Sequence, residues 1–446
     1  MNKLVDGGSA ASEAKAVGLA HAWYAVAILT LANMSGFIDR QILSYLVVPM
    51  KRDLGVTDTQ MSLLMGLGFV VFYSVLGIPI GRMIDRGRRR AITAAGIALW
   101  SLMTTLTGVV RTFPALMLAR VGVGVGEATL GPASVSIIAD VFPRRLLGIA
   151  MSVYTTGTFL GSGVGYMLGA FLVDRLDKFG TISMPVIGDI YAWQTVFFLV
   201  GIPGFLIALL TLTMREPPRQ QAHTSVQLPF SEVLGYMRQH SRTVTALTVG
   251  FACSAAVNYG IGAWMGSFFM RTHNWTAPQA GQWQGINTII FGPIGTLLGG
   301  RLSDVLRKRG HSDAPLLVGI AAAIGMICTA AVYPAVDSAD AAKYLIIPVN
   351  IFAAMPWGAA AVAMAEVMPA RMRGQGAAIY QLVVNLVAGI LGPTSVALLT
   401  DYVFRDELSL RWSLVICTLV GMTLTISILG WGRSAYRATV ASQQAS

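Results

Sequence analysis

The chain has 446 residues, 54% of them hydrophobic and 12% charged, with a formal net charge of +11. Soluble domains carry about 25% charged residues, so this composition excludes a water-soluble globule that hides its apolar surface by folding alone. It does not point to nucleic acid either, because the basic residues sit in short loops between apolar runs and form no aromatic-interleaved groove.

From the N-terminus, the first twenty residues are polar and weakly charged. The apolar run after them is too long for the core of a signal peptide, so it reads as a transmembrane helix. A helix needs about 20 residues to cross the hydrocarbon core. Runs of that kind fall near 22–47, 60–82, 91–110, 113–139, 146–173 and 191–214, and again near 243–270, 279–303, 314–334, 343–365, 374–400 and 411–433. The expected organisation is a tail over 1–21, a six-helix bundle over 22–214, a linker over 215–242, a second bundle over 243–433 and a tail over 434–446. Lys and Arg accumulate in cytoplasmic loops. Twenty-one of the 32 fall on the side of the termini, nine on the other side and two within spans, which predicts cytoplasmic termini and a cytoplasmic linker.

The two halves echo each other. The loop after the second run reads G-R-M-I-D-R-G-R-R-R from Gly81, and the loop after the eighth reads G-R-L-S-D-V-L-R-K-R from Gly300. A second echo joins D-V-F-P-R-R-L-L-G from Asp140 to E-V-M-P-A-R-M-R-G from Glu366, at nearly the same separation. Such echoes at equivalent loops are what a duplicated six-helix unit leaves. Transporters built from parallel repeats hold substrate near the bilayer midplane, between the repeats.

The segment from Gly81 resembles the signature loop of the major facilitator superfamily, G-x-x-x-D-R-x-G-R-R, with its second glycine one position early at Gly87. The degenerate copy has Val305 for the first basic residue. M-S-G-F-I-D-R-Q-I-L-S at 34–44, R-V-G-V-G-V-G-E-A at 120–128, P-A-S-V-S-I-I-A-D-V-F-P at 132–143 and R-E-P-P-R at 215–219 are similar to the Spinster family of lipid transporters. The resemblance covers essentially the whole chain. It implies an all-α membrane protein of the major facilitator fold, with twelve transmembrane helices in two pseudo-symmetric six-helix bundles, in a bacterial inner membrane. It also implies movement of lysolipids or sphingoid phosphates, with Asp39, Arg40, Arg120 and Glu127 as functional residues. For the repeated loop it implies a latch that closes the cytoplasmic face in the outward-open state, built from Gly81, Asp85, Arg86, Arg88, Arg89 and Asp140, with Gly300, Asp304 and Arg307 in the second copy. Asp85 suits a neighbouring helix N-terminus, where the macrodipole favours an anion, and the arginines suit Asp140.

Without the family, the same four residues draw attention because they are the ionisable groups deep inside runs. Each costs about 2.5–3.5 kcal/mol at a helix centre on insertion scales. Asp39 and Arg120 lie at similar depth and suit a pair; Arg120 and Glu127 share a helix face roughly 10 Å apart along the axis. Asp39 and Arg40 point about 100° apart and need different partners. Burial favours the neutral acid and a neighbouring arginine the charged one, so an acid whose arginine moves between states takes and releases a proton. Asp39 and Glu127 are thus the expected proton-coupling residues. Arg40 and Arg120, with Tyr45, Tyr154, Asn258 and Tyr259, are the expected substrate-binding set.

No metal or cofactor is expected: Cys253, Cys328 and Cys417 lie in apolar runs without C-x-x-C spacing. An integral membrane enzyme is disfavoured because the five histidines sit at span ends or in loops and no nucleophile-elbow pattern occurs. The expected partners are a lipid-like small molecule and protons, handled by a monomer. A carrier of small organic anions or drugs, and a channel or scramblase, remain as alternatives with the same composition.

Overall fold

A computed structural model of the protein describes residues 18–184, 188–216 and 229–445. The N-terminal tail and linker residues 217–228, including Arg219, lie outside them. The first half comprises α1 Leu19–Leu54, α2 Asp58–Met65, α3 Leu67–Arg86, α4 Arg89–Thr107, α5 Phe113–Glu127, α6 Leu130–Val141, α7 Arg144–Leu176 and α8 Ala192–Thr213. The second comprises α9 Phe230–Gln239, α10 Ser241–His273, α11 Ala277–Lys308, α12 Ala314–Ala330, α13 Ala339–Val367, α14 Arg373–Leu398 and α15 Leu410–Ala445.

Every expected run is helical, but two of them are broken. The second divides into α2 and α3 at Gly66, where a Cβ would collide with the carbonyl oxygen of Gly389. The fourth divides into α5 and α6 at Ala128–Thr129. Pro132 lies four residues beyond Ala128 and cannot donate to its carbonyl, which breaks the ladder there. Ten helical stretches among the described residues are long and apolar enough to cross a bilayer. The other two expected runs fall short. With 17 residues, α12 covers only about 25 Å, and α4 is diluted by Thr93, Ser101, Thr104, Thr105 and Thr107. Both are enclosed by neighbours, α4 by α5 and α8, and α12 by α13 and α15.

Three segments expected as loop or tail are ordered. A hairpin of β1 Thr181–Met184 and β2 Gly188–Tyr191 joins α7 to α8, turning through Gly188 at φ 81°, and it buries Ile190. The expected linker ends in α9, and the expected C-terminal tail continues α15 to Ala445. Those two helices support each other: Val233 and Met237 of α9 share a core with Tyr436 and Val440 of α15.

Core distribution gives the molecule its shape. Away from the termini, one apolar cluster is shared by both halves, joining Tyr45, Leu46, Trp193 and Phe197 to Trp264, Phe268, Phe269 and Tyr333. Toward the termini the core divides, with one cluster around Trp100 and Ile138 of the first half and another around Phe251 and Tyr436 of the second. The halves meet where α7 packs on α11 and where α2 and α3 pack on α14. Polar links between halves gather toward the far face: Tyr45 to Gln284, Thr59 to Asp401, and Lys51 and Asp58 to Glu407 and Arg271. The molecule is closed on the face away from its termini and opens toward them. Exposed leucines such as Leu118, Leu206, Leu209 and Leu297 ring the outside, as a bilayer requires.

Candidate functional site

Between the halves lies a cavity of about 340 Å³. The first half contributes Phe37, Arg40, Phe69, Tyr73, Arg120 and Ser162; the second contributes Asn258, Tyr259, Gln284, Asn350, Trp357 and Asn385. Among the lining residues only Arg40 and Arg120 carry charge.

Both arginines are held from behind by carboxylates. Arg40 donates to Glu127 through Nε at 2.9 Å and through Nη2 to the same oxygen. Arg120 Nη1 lies 3.4 Å from Asp39 Oδ1, and the Thr104 hydroxyl donates to the other Asp39 oxygen. Asp39 and Glu127 are 2% and 3% exposed and do not line the cavity. Adjacent residues of α1 thus reach partners seven apart on α5. The length of two arginine side chains covers the roughly 10 Å between those levels.

Close backbones make this possible. Gly36 lies against the Glu127 carboxylate, so a Cβ there would crowd the ion pair at 3.1 Å. Gly157, Gly161 and Gly165 of α7 pass directly over the α1 backbone at Thr30, Met34 and Ile38. The guanidinium of Arg40 is enclosed by Phe37, Phe69 and Tyr73, with ring centroids at 4.8, 4.4 and 4.9 Å. These rings cover its apolar faces while leaving its edge to hydrogen bonds. The Nε and Nη2 of Arg120 are buried and find no hydrogen-bond partner among the described residues. Two strong donors therefore stand unused beside the cavity.

Of the expected binding set, Asn258 and Tyr259 line the cavity, whereas Tyr45 and Tyr154 do not. Tyr45 is fully buried and donates to Gln284 Oε1 at 2.8 Å, sealing the closed end of the cavity. Tyr154 is buried in the core of the first half, where its carbonyl accepts from Asn33. Sequence reasoning missed Thr104, the aromatic cage and Gln284, whose Nε2 also donates to Gly262 O. Thr104 and Gln284 have no signal of their own in a helix rich in small and polar residues.

The expected latch residues fall into two groups. Asp85, Arg86, Arg88 and Asp304 are exposed, and open space surrounds Gly81 and Gly300. Glu216 occupies the N-terminus of α4, accepting from the backbone N–H of Arg89 and Arg90 at 3.0 and 2.9 Å. Buried Arg89 pairs with Asp140, and in the second half Arg307, the counterpart of Arg88, pairs with Glu366, the counterpart of Asp140.

On the far face, Asp58 is fully buried and accepts from Lys51 at 2.7 Å and from both terminal nitrogens of Arg271 at 2.6 and 2.9 Å. Lys51 also reaches Glu407 at 2.6 Å. A π-helical turn over Leu399–Phe404 aims Asp401 at the first turn of α2, where it accepts from Thr59 N and Oγ1 at 2.7 Å. In the sequence these residues fall in the loops between apolar runs.

The sequence pattern of the Major Facilitator Superfamily matches residues 29–393. An MFS-type efflux pump of Mycolicibacterium smegmatis is 28% identical over 393 residues, covering 87% of each chain. Protein spinster homolog 1 of Xenopus tropicalis is 26% identical over 450 residues, covering 94% of this chain and 82% of that one. The crystal structure of a bacterial homologue of the human lysosomal transporter Spinster, inward-facing and unoccupied, superposes with a TM-score of 0.75 at 25% identity, covering 95% of this chain and 98% of that chain. With its helices, its divided core and its central cavity, the chain belongs to the Major Facilitator Superfamily and is a multi-pass membrane transporter of that type, related to Spinster.

Proposed function

We propose that the protein is a proton-coupled secondary transporter of an amphiphilic anion, of the lysolipid or sphingoid phosphate class, working by alternating access. The observation that carries this reading is the arrangement of charge: two arginines face the cavity and the acids that neutralise them stand behind. Arginine does not deprotonate in such a setting, so Asp39 and Glu127 are the members that switch. A proton on either acid frees its arginine for an anionic head group, and return of the acid to its charged form displaces that head. The wall of the second half carries no charge and suits an alkyl chain.

Neutral substitutes for the acids mimic their protonated forms. Asp39→Asn/Glu127→Gln is therefore expected to abolish the pH dependence of labelled lysolipid uptake into proteoliposomes. A wild-type pH response in that double variant would remove the proposed proton site. A second reading, a carrier of small organic anions or drugs, has the efflux-pump relative in its favour. Competition by short carboxylates but not by lysolipids would select it.

Under the same reading the terminus face is cytoplasmic, the conformation described is inward-facing, and the Gly81 and Gly300 loops latch only when that face closes. Asp85→Asn changes an exposed side chain here, so it is expected to alter the stability of this state by no more than about 0.5 kcal/mol. It is also expected to raise the population of this state, read as longer distances between spin labels on the terminus faces of the two halves. Unchanged distances would reduce the loop to a topology signal.

A further inference from the structure

We propose that Thr104 is a positioning residue of the proton site: its hydroxyl donates to Asp39 in the charged form and accepts from it in the protonated form, which sets the pH at which Asp39 releases Arg120. This rests on the proton-coupled reading above. Helix α4 packs on α5 and α8, and none of its residues lines the cavity. Buried Thr104 nevertheless reaches across to Asp39 Oδ2. The other threonines of α4 behave differently. Thr93, Thr105 and Thr107 each donate to the carbonyl four residues back, at 2.8, 2.7 and 2.9 Å, a common use of a threonine hydroxyl inside a helix. Of the four threonines in this helix, all within the described residues, Thr104 is the one that turns its hydroxyl to another helix.

The surroundings of Asp39 give that hydroxyl its weight. The charged groups facing Asp39 are Arg120, which meets it through one nitrogen at 3.4 Å, and Glu127, both on α5. Gly161 and Gly165 of α7 pass beside Phe37 and Ile38, α8 contains no ionisable residue, and Tyr73 and Tyr259 face Arg40 instead. When a proton neutralises Asp39 and Arg120 turns to an anion in the cavity, the new carboxyl hydrogen needs an acceptor. Thr104 Oγ1 supplies it, and the hydrogen of Thr104 swings to the carbonyl of Trp100, four residues back, as in its neighbours. Neither form of the acid then leaves a buried polar group unmatched. A hydrogen bond to a carboxylate is roughly twice as strong as one between neutral groups, so the hydroxyl favours the charged form and holds the Asp39–Arg120 pair to lower pH.

The test needs no ligand. Spin labels at Phe179→Cys and Tyr344→Cys, exposed on opposite halves, report the conformation of the full chain in nanodiscs across a pH titration, with Cys253, Cys328 and Cys417 replaced. Thr104→Val keeps the shape of the side chain and removes its hydroxyl. The midpoint of the pH-dependent distance change should then move up by about one unit, since a charge-assisted bond exceeds a neutral one by roughly tenfold in proton affinity. Thr104→Ala should give the same shift, and Thr104→Ser, which keeps the hydroxyl, should restore the wild-type midpoint. With Asp39→Asn already in place, Thr104→Val should not move whatever pH response Glu127 still provides. If the wild-type distances ignore pH, the proton-coupled reading fails and takes this one with it. If they respond, but Thr104→Val and Thr104→Ala leave the midpoint in place or move it equally in the Asp39→Asn protein, Thr104 is a packing contact and this inference alone is wrong.

Discussion

Arg120→Met is expected to abolish uptake and to destabilise the protein by about 3–5 kcal/mol, the usual cost of removing one partner of a buried ion pair. Arg120 and Asp39 are 4% and 2% exposed, and the substitution leaves the Asp39 carboxylate with only the Thr104 hydroxyl. Binding suffers for a separate reason, because the unused Nε and Nη2 donors beside the cavity disappear with the guanidinium. The double variant Asp39→Asn/Arg120→Met separates the two effects. Replacing both members of a buried pair is often close to neutral, so the double variant should recover most of the lost stability while remaining unable to bind. Thermal unfolding in one detergent, beside anion binding, reads both quantities. A double variant no more stable than Arg120→Met would mean that Asp39 and Arg120 are not energetically coupled.

The same coupling decides between a structural and a functional account of the four charges. A network that only fastened α1 to α5 would tolerate neutral replacement of both pairs with transport intact, since apolar packing serves that purpose as well. The geometry carries features such a fastening does not need. Both arginines face the cavity, and one of them keeps two donors free.

What was legible in the sequence follows from what is costly in a bilayer. A charge deep in a span is expensive enough to need a reason, so Asp39, Arg40, Arg120 and Glu127 stood out, and their depths and directions were enough to suggest that Asp39 faces Arg120. The pairing of Glu127 with Arg40 has no such sequence signal, because it depends on side-chain reach across 87 residues of sequence separation. Tyrosines carry no comparable penalty. Tyr45 lies five residues beyond Arg40, about 140° around the helix, which turns it from the cavity toward α11 and Gln284. Tyr154 meets the core of its own half in the same way. Helices α9 and the end of α15 lie outside the apolar runs, where only a short amphipathic pattern, Val233 with Met237, betrays them. The far-face cluster was hidden for another reason: its charges belong to loops of opposite halves, and sequence gives no pairing between loops 213 residues apart.

That cluster is where the second large effect is expected. Asp58→Asn should open the far face, because a fully buried carboxylate there receives three hydrogen bonds from two cations, and two of the three cross between the halves. Without it, Arg271 and Lys51 share only Glu407, which is 58% exposed. Loss of a buried partner costs about 3–5 kcal/mol, and the cost falls on the state in which this face is closed. Even 2.8 kcal/mol, about a hundredfold in an equilibrium constant, would turn a closed majority into an open one. Glu407→Gln should shift the balance by no more than about 1 kcal/mol, as expected for an exposed partner. Spin labels at Phe179→Cys and Tyr344→Cys, both exposed on the far face of opposite halves, read the distance directly once Cys253, Cys328 and Cys417 are replaced. Longer distances in Asp58→Asn, with little change in Glu407→Gln, are the expected result. Unaltered distances in Asp58→Asn would mean that the apolar core shared by Tyr45, Trp264 and Phe268, and not the ion cluster, holds this face shut.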